Sequence, residues 1–167
     1  RFRRYVTRDR FPTYLSDDLA VVGVNTARSL TIKNGRINRE QLERVETILE
    51  RAPAAALRVV VAHHPFVVPE DEPLQERVGR TDLALPVFLR VGVDLLLTGH
   101  RHHTWLSAPR PGLLAIHAGT ATSHRVRREE NAFNLVETGS REVAVHRFRW
   151  QPEGETFTPP KVESIRR

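Results

Sequence analysis

Two stretches of the chain begin as unbroken runs of branched aliphatic residues and end abruptly in histidine. The first is VVVAHH at residues 59–64, and the second is LLLTGHRHH at residues 95–103. A short continuous apolar run is typical of a strand that is buried on both faces of a sheet. We therefore predict two buried strands, each with histidine at the point where the strand enters a loop.

Other hydrophobic and polar patterns place strands and helices around these two runs. LAVVGVN at residues 19–25 predicts a further buried strand. Asn38, with Gln41 three residues later, forms a capping-box arrangement, and the apolar residues that follow recur on one helical face. Residues 81–91 predict a second helix, which Pro86 shortens or kinks. Strands that alternate with helices indicate the α/β class.

The rest of the chain contains two segments without helical periodicity and one clear hairpin. Residues 133–137 and 142–150 alternate around a turn, which predicts an antiparallel C-terminal hairpin. Residues 151–167 are broken by prolines and predict a loosely ordered tail. Residues 65–80 predict a long loop that acts as a lid, with its acidic triplet at residues 70–72 in a solvated turn.

Composition narrows the chemistry that the histidines can serve. The chain has 167 residues, which suits one domain, and no cysteine, so a metal site would use nitrogen and oxygen ligands. Lys plus Arg exceeds Asp plus Glu by 26 − 20 = 6, but no nucleic-acid motif accompanies this excess, so we do not expect nucleic acid as a partner. No apolar run is long enough to span a membrane. We expect a cytoplasmic protein, and its oligomeric state stays open.

Histidines at the ends of neighbouring buried strands are candidates for metal binding. Strands that lie side by side would bring His63, His100 and His102 to one rim of the sheet, where α/β folds place their ligands. Neutral imidazole is the commonest metal ligand, and three imidazoles suit a divalent transition metal. A lone histidine after a strand is more often a satisfied polar residue. Spacing alone therefore leaves both interpretations open.

The two histidine-bearing segments carry a resemblance to a known family. VVAHHP at residues 60–65 and TGHRH at residues 98–102 resemble the last two motifs of the calcineurin-like metallophosphoesterases, which include purple acid phosphatases and bacterial cyclic-nucleotide phosphodiesterases. The resemblance covers residues 19–150 and only the second half of the family's domain. It implies the C-terminal half of a four-layer αββα sandwich with a mixed sheet, and the cyclic-nucleotide phosphodiesterase branch is the more similar.

The resemblance also implies a ligand set and an activity. The family's metal-binding positions match His63 and His100 on one metal and His102 on the other, whereas His64 and His103 match no ligand position. It implies two divalent metal ions (Mn, Fe or Zn). The expected function is hydrolysis of a small phosphomonoester or phosphodiester by a dinuclear-metal phosphoesterase.

Several motifs of the family are missing from the sequence. No D-x-H, G-D-x-x-D or G-N-H-[D/E] motif occurs, so residues 1–150 are expected to form a partial domain that begins just after the G-N-H motif. The catalytic residues would then lie outside this sequence, and the 167-residue chain alone is expected to be inactive. The alternative function is a non-catalytic binding or regulatory module on the same scaffold.

Four polar residues outside the two motifs are also of interest for function or structure. Arg28 is a candidate contact for a substrate phosphate, although a surface ion pair is the alternative for this arginine. Three further histidines are interpreted as structural: His117, His124 and His146.

Overall fold

In the part of the chain that the structure describes, two β-sheets lie face to face, and two α-helices cover the outer face of the larger sheet. This structure is a computed structural model that describes residues 7–27, 35–122, 129–139 and 142–166. One apolar cluster joins the helices to the larger sheet, and a second joins the two sheets. The predicted α/β class, with a mixed sheet and flanking helices, is confirmed.

The larger sheet has six strands in the order β1-β2-β3-β4-β6-β5. Strands β2, β3, β4 and β6 run parallel, and the edge strands β1 and β5 are antiparallel to their neighbours. In chain order the elements of this sheet and its helices are β1 (Thr13–Leu15), β2 (Leu19–Val24), α1 (Arg39–Glu50), β3 (Leu57–Ala62), α2 (Thr81–Arg90), β4 (Leu95–Thr98), β5 (Trp105–Arg110) and β6 (Leu113–His117). A 3-10 turn, Leu74–Glu76, lies between β3 and α2.

The central strands β3 and β4 are apolar on both faces because both faces are covered. Val60 and Leu96 belong to the cluster under the helices, whereas Val59 and Leu95 belong to the cluster between the sheets. The two strands pair in parallel with Val59 opposite Leu95. Their carboxyl ends therefore meet at the same edge of the sheet, and that edge carries the histidines.

Helix α1 begins where the sequence predicted it. The Asn38 side chain accepts a hydrogen bond from the backbone N–H of Gln41, and the Gln41 side chain accepts one from the Asn38 N–H. Leu42, Val45 and Leu49 form its buried face. Helix α2 also forms as predicted, and it continues past Pro86.

The smaller sheet consists of the predicted hairpin and two strands that the sequence did not predict. The hairpin is β7 (Ala132–Thr138) and β8 (Glu142–Gln151), followed by β9 (Thr156–Phe157) and β10 (Lys161–Arg166). Both later strands pair with β8, and Ile165 packs into the cluster between the sheets. The prediction of a loosely ordered tail from residue 151 is wrong, because its prolines lie between strands rather than inside them.

Strand β1 was also missed, because only three residues pair with β2 and none of them is buried. Among the described residues, no helix combines the length and apolar character needed to cross a membrane.

Candidate metal centre

His63 directly follows β3, His100 is the second residue after the neighbouring strand β4, and their rings meet. His63 Nε2 lies 3.1 Å from His100 Nδ1, and the ring centroids are 5.0 Å apart. Gly99, the first residue after β4, donates its backbone N–H to the His63 carbonyl over 3.1 Å. Two imidazoles that the sequence separates by 37 positions are therefore held side by side at one edge of the sheet.

His64 adds a third imidazole to this pair. Its ring centroid lies 4.8 Å from that of His63 and 4.6 Å from that of His100. One ligand nitrogen from each of the three residues lies within 4.8 Å of the others, an arrangement that could hold a metal ion. The resemblance matched His64 to no ligand position. The only sequence signal for it was its place beside His63.

Thr26 and Gly35 pack closely against the buried His64 ring. Thr26 Oγ1 lies 2.8 Å from His64 Nδ1 and accepts a longer hydrogen bond, 3.3 Å, from the His64 backbone N–H. Gly35 has a φ of +61°, and a Cβ at that position would lie 2.5 Å from His64 Nδ1. Glycine is therefore required there both for its backbone conformation and for the space that the imidazole occupies.

His102 lies next to this group but is not one of the three. Its Nδ1 is 2.6 Å from Thr120 Oγ1 in the segment after β6. His100 and His102 both have left-handed backbone, with φ of 74° and 61°. That conformation is rare outside glycine and clusters at functional sites. The structure thus brings His63 and His100 together and places His102 on the far side of one tight turn, and the ligand role of all three stays a prediction.

The electrostatic environment favours the neutral form of the His63 and His100 imidazoles. Burial, and then the nearby His102, lower the pKa of His63 below its ordinary value. Burial lowers the pKa of His100 as well, with further lowering from His63, His102 and Arg101 that Glu76 partly opposes. A metal binds the neutral form of imidazole. In this respect the residues fit a metal ion, with nitrogen ligands from His63, His64 and His100.

The acidic triplet at residues 70–72 does not form a fully solvated turn. Glu72 is only 11% exposed and forms an ion pair with Arg101, the residue between His100 and His102. Glu70 and Asp71 are exposed, as predicted. The prediction is therefore wrong for Glu72, because its partner lies far away in the sequence, on the turn after β4.

The other candidate residues lie away from the imidazole group or outside the described residues. The buried His117 has its Nε2 2.9 Å from the Val67 carbonyl and stacks edge-on against Trp105. His146 pairs with Glu137 on the hairpin. Arg28 and His124 lie outside the described residues, so their roles stay predictions.

Solved structures with a similar fold are known. Over 80% of its length the chain matches 38% of a dimetal phosphatase from Danio rerio, with a TM-score of 0.57 and 15% identity. The two chains therefore have a similar fold. Over 92% of its length the chain also matches 53% of GAP50, the anchor in the inner membrane complex of Plasmodium, with a TM-score of 0.57 and 14% identity.

These likenesses concern the fold alone, because the sequence identities are low. The chain spans about half of the Plasmodium protein and less than half of the Danio rerio phosphatase. No sequence-family profile matches the chain, and no curated protein matches it in sequence.

Proposed function

We propose that this chain is part of a metal-dependent phosphoesterase that hydrolyses phosphomonoesters or phosphodiesters at a dinuclear metal centre. His63, His100 and His102 are its proposed metal ligands. The observation that carries the proposal is the 3.1 Å approach of His63 Nε2 to His100 Nδ1 at the ends of adjacent parallel strands. A fold similar to that of a dimetal phosphatase supports it.

The chemistry of the proposed site depends on neutral imidazoles that the sheet holds at the carboxyl ends of β3 and β4. Two divalent cations bound there would polarise a phosphoryl oxygen and supply a water of lowered pKa for in-line attack. His63 and His100 favour the neutral form that accepts a cation. Thr120 orients the His102 ring through its Nδ1. Mn²⁺, Fe and Zn²⁺ all accept nitrogen and oxygen ligands, so all three stay candidates.

A dinuclear centre needs oxygen donors in addition to these imidazoles. Within the part of the chain that the structure describes, the group suited to a metal contains three histidines and no carboxylate. The proposal assigns the remaining aspartate and asparagine ligands, and the catalytic residues, to sequence outside these 167 residues. Arg28 is retained as a proposed phosphate contact, and the cytoplasm as the proposed location.

The test is phosphoesterase activity of the full-length protein that contains this chain. Hydrolysis of p-nitrophenyl phosphate and bis-p-nitrophenyl phosphate would be measured with Mn²⁺, beside a His100→Ala variant. We expect kcat/KM to fall by about 100-fold or more, because a ligand is lost from the site that stabilises the transition state. The matched control is His146→Ala, which removes an imidazole from the hairpin. Equal turnover by the wild type and His100→Ala would refute the proposal.

The second candidate is a non-catalytic binding or regulatory module on the same scaffold. Two observations favour it: the described imidazole group lacks a carboxylate, and one protein of similar fold is GAP50, the anchor in the inner membrane complex of Plasmodium. The upstream sequence discriminates between the two functions. Intact D-x-H, G-D-x-x-D and G-N-H motifs support the enzyme, and degraded motifs support the module.

A further inference from the structure

Arg101 lies between two proposed ligands in the sequence, yet its side chain points away from open solvent. The guanidinium is 15% exposed and forms ion pairs with two carboxylates, Glu72 and Glu76, the second at 3.2 Å. Glu72 is itself only 11% exposed and also lies 3.8 Å from His103 Nε2. A single arginine therefore joins the turn after β4 to two points of the 65–80 loop.

The turn that carries Arg101 is strained. Both neighbours of Arg101 have left-handed backbone, with φ of 74° at His100 and 61° at His102. Such backbone conformations are strained and persist only when surrounding contacts determine them. The turn itself offers one short backbone hydrogen bond, from the Arg101 N–H to the Gly99 carbonyl over 2.9 Å. The Arg101 side chain is thus well placed to hold this turn in its conformation.

The 65–80 loop, which carries both carboxylates, is held in place by hydrogen bonds near its two ends. His117 Nε2 lies 2.9 Å from the Val67 carbonyl, which ties the start of the loop to β6. The Val78 N–H donates to the Pro65 carbonyl over 2.7 Å, which closes the loop on itself. Glu72 and Glu76 are therefore presented by a segment that is attached to the sheet at both ends. In this structure, the loop that the sequence predicts to be a lid is joined by ion pairs to the turn that carries His100 and His102.

We propose that Arg101 is a positioning residue: its ion pairs with Glu72 and Glu76 hold the strained turn so that the His100 and His102 rings face the metal site. This inference rests on the proposed function, because it takes those rings as metal ligands. Arginine suits the role better than lysine, since a planar guanidinium can bond two carboxylates at once in fixed directions.

The test measures Zn²⁺ binding to the full-length protein that contains this chain, by titration calorimetry at a temperature where circular dichroism shows every variant folded. Arg101→Gln removes the charge and both ion pairs. We expect its Zn²⁺ affinity to fall by about 10- to 100-fold, the usual effect of losing a group that orients a metal ligand. Glu72→Gln should lower the affinity in the same direction, and Arg101→Lys should recover part of it.

Two controls separate positioning from general stability. Arg90→Gln breaks an exposed ion pair with Glu46 on the helical face of the molecule and should leave Zn²⁺ affinity unchanged. The free energy of unfolding without metal is measured for each variant. In long-range ¹H–¹⁵N spectra, Arg101→Gln should alter the Zn²⁺-induced shifts of the His100 and His102 rings.

The outcomes distinguish this inference from the proposed function. If the wild type binds Zn²⁺, His100→Ala loses binding and Arg101→Gln binds like the wild type, Arg101 has no positioning role and only this inference fails. If the wild type and His100→Ala bind Zn²⁺ equally, the proposed metal site fails and the inference is refuted with it. Unchanged ring shifts in Arg101→Gln also contradict it, even when the protein is destabilised.

Discussion

The histidines that follow β3 and β4 differ from the histidine that ends β6 in what their ring nitrogens contact. His63 and His100 follow β3 and β4, and their ring nitrogens face each other across 3.1 Å. His117 is the last residue of β6, directly opposite Thr98 at the end of β4, but it is only 1% exposed and its Nε2 is held by the Val67 carbonyl. Burial lowers the pKa of all three.

The difference between the two groups is whether a ring nitrogen is directed at another imidazole or at the backbone. The hydrogen bond between His117 Nε2 and the Val67 carbonyl attaches the 65–80 loop to β6. The imidazoles that follow β3 and β4 instead concentrate nitrogen donors in one place. A lowered histidine pKa is therefore not by itself a sign of a functional site, and the partners of the ring decide what the histidine does.

The largest expected effect comes from removing one of the converging imidazoles. Four-ligand structural zinc sites bind with ~10–16 kcal/mol, so one ligand contributes about 2.5–4 kcal/mol. His63→Ala should therefore lower the Zn²⁺ affinity of the full-length protein by roughly 70- to 900-fold, measured by calorimetry. His117→Gln is the matched control, with an affinity within about threefold of the wild type. If His117→Gln lost more Zn²⁺ affinity than His63→Ala, the metal-binding role would belong to His117 rather than to His63.

Substitution of Gly35 should destabilise the protein by disturbing the packing around the His64 ring. A Cβ there would lie 2.4 Å from the Thr26 carbonyl and 2.5 Å from His64 Nδ1, on a backbone with φ of +61°. We expect Gly35→Ala to lower the free energy of unfolding by about 2–3 kcal/mol, from combined strain and overpacking. Gly112→Ala is the control, because φ is +78° there but no heavy atom lies within 4 Å. Equal urea midpoints for the two variants would show that the close approach to His64 is unimportant.

His117 should make the free energy of unfolding depend on pH. Burial lowers the pKa of His117 from 6.5 to about 4, although its hydrogen bond with Val67 partly opposes the shift. Its folded pKa is depressed, so its contribution is fully present above about pH 6.5 and is lost as the pH falls towards 4. Between pH 7 and pH 4.5 this costs about 2 kcal/mol of unfolding free energy.

Urea unfolding at these two pH values measures that loss, with His117→Gln as the non-titrating comparison. Because the pKa values of His63 and His100 are shifted in the same direction, part of the acid sensitivity should remain in the variant. A loss of stability as large in His117→Gln as in the wild type would assign the whole effect to other groups.

The smallest expected effect concerns the hydroxyl beside His64. Thr26→Val removes the hydroxyl that contacts both the His64 ring and the His64 backbone N–H. We expect the free energy of unfolding to fall by about 1 kcal/mol, the net value of a typical hydrogen bond. Thr26→Ser keeps the hydroxyl and should restore the His64 Nδ1 resonance position seen in the wild type. If the valine variant leaves that resonance unmoved, Thr26 does not orient the ring.

Much of the fold could be predicted because its signals are local. The Asn38 capping box, the apolar runs of β3 and β4 and the alternating hairpin each depend on residues close together in the chain. Strand β10 was missed because the prolines that precede it suggested a loose tail. Its pairing with β8 depends on the register of another strand rather than on its own composition.

The sequence by itself determined that buried strands end in histidine, because apolar periodicity and residue type are properties of short segments. Only the tertiary structure decided which side chains meet there. His64 joins His63 and His100 because Gly35 and Thr26 leave it room, and Glu72 is buried because Arg101 reaches it from the turn after β4. These are contacts between residues distant in the chain, and only the packing of the sheet, its loops and its helices brings them together.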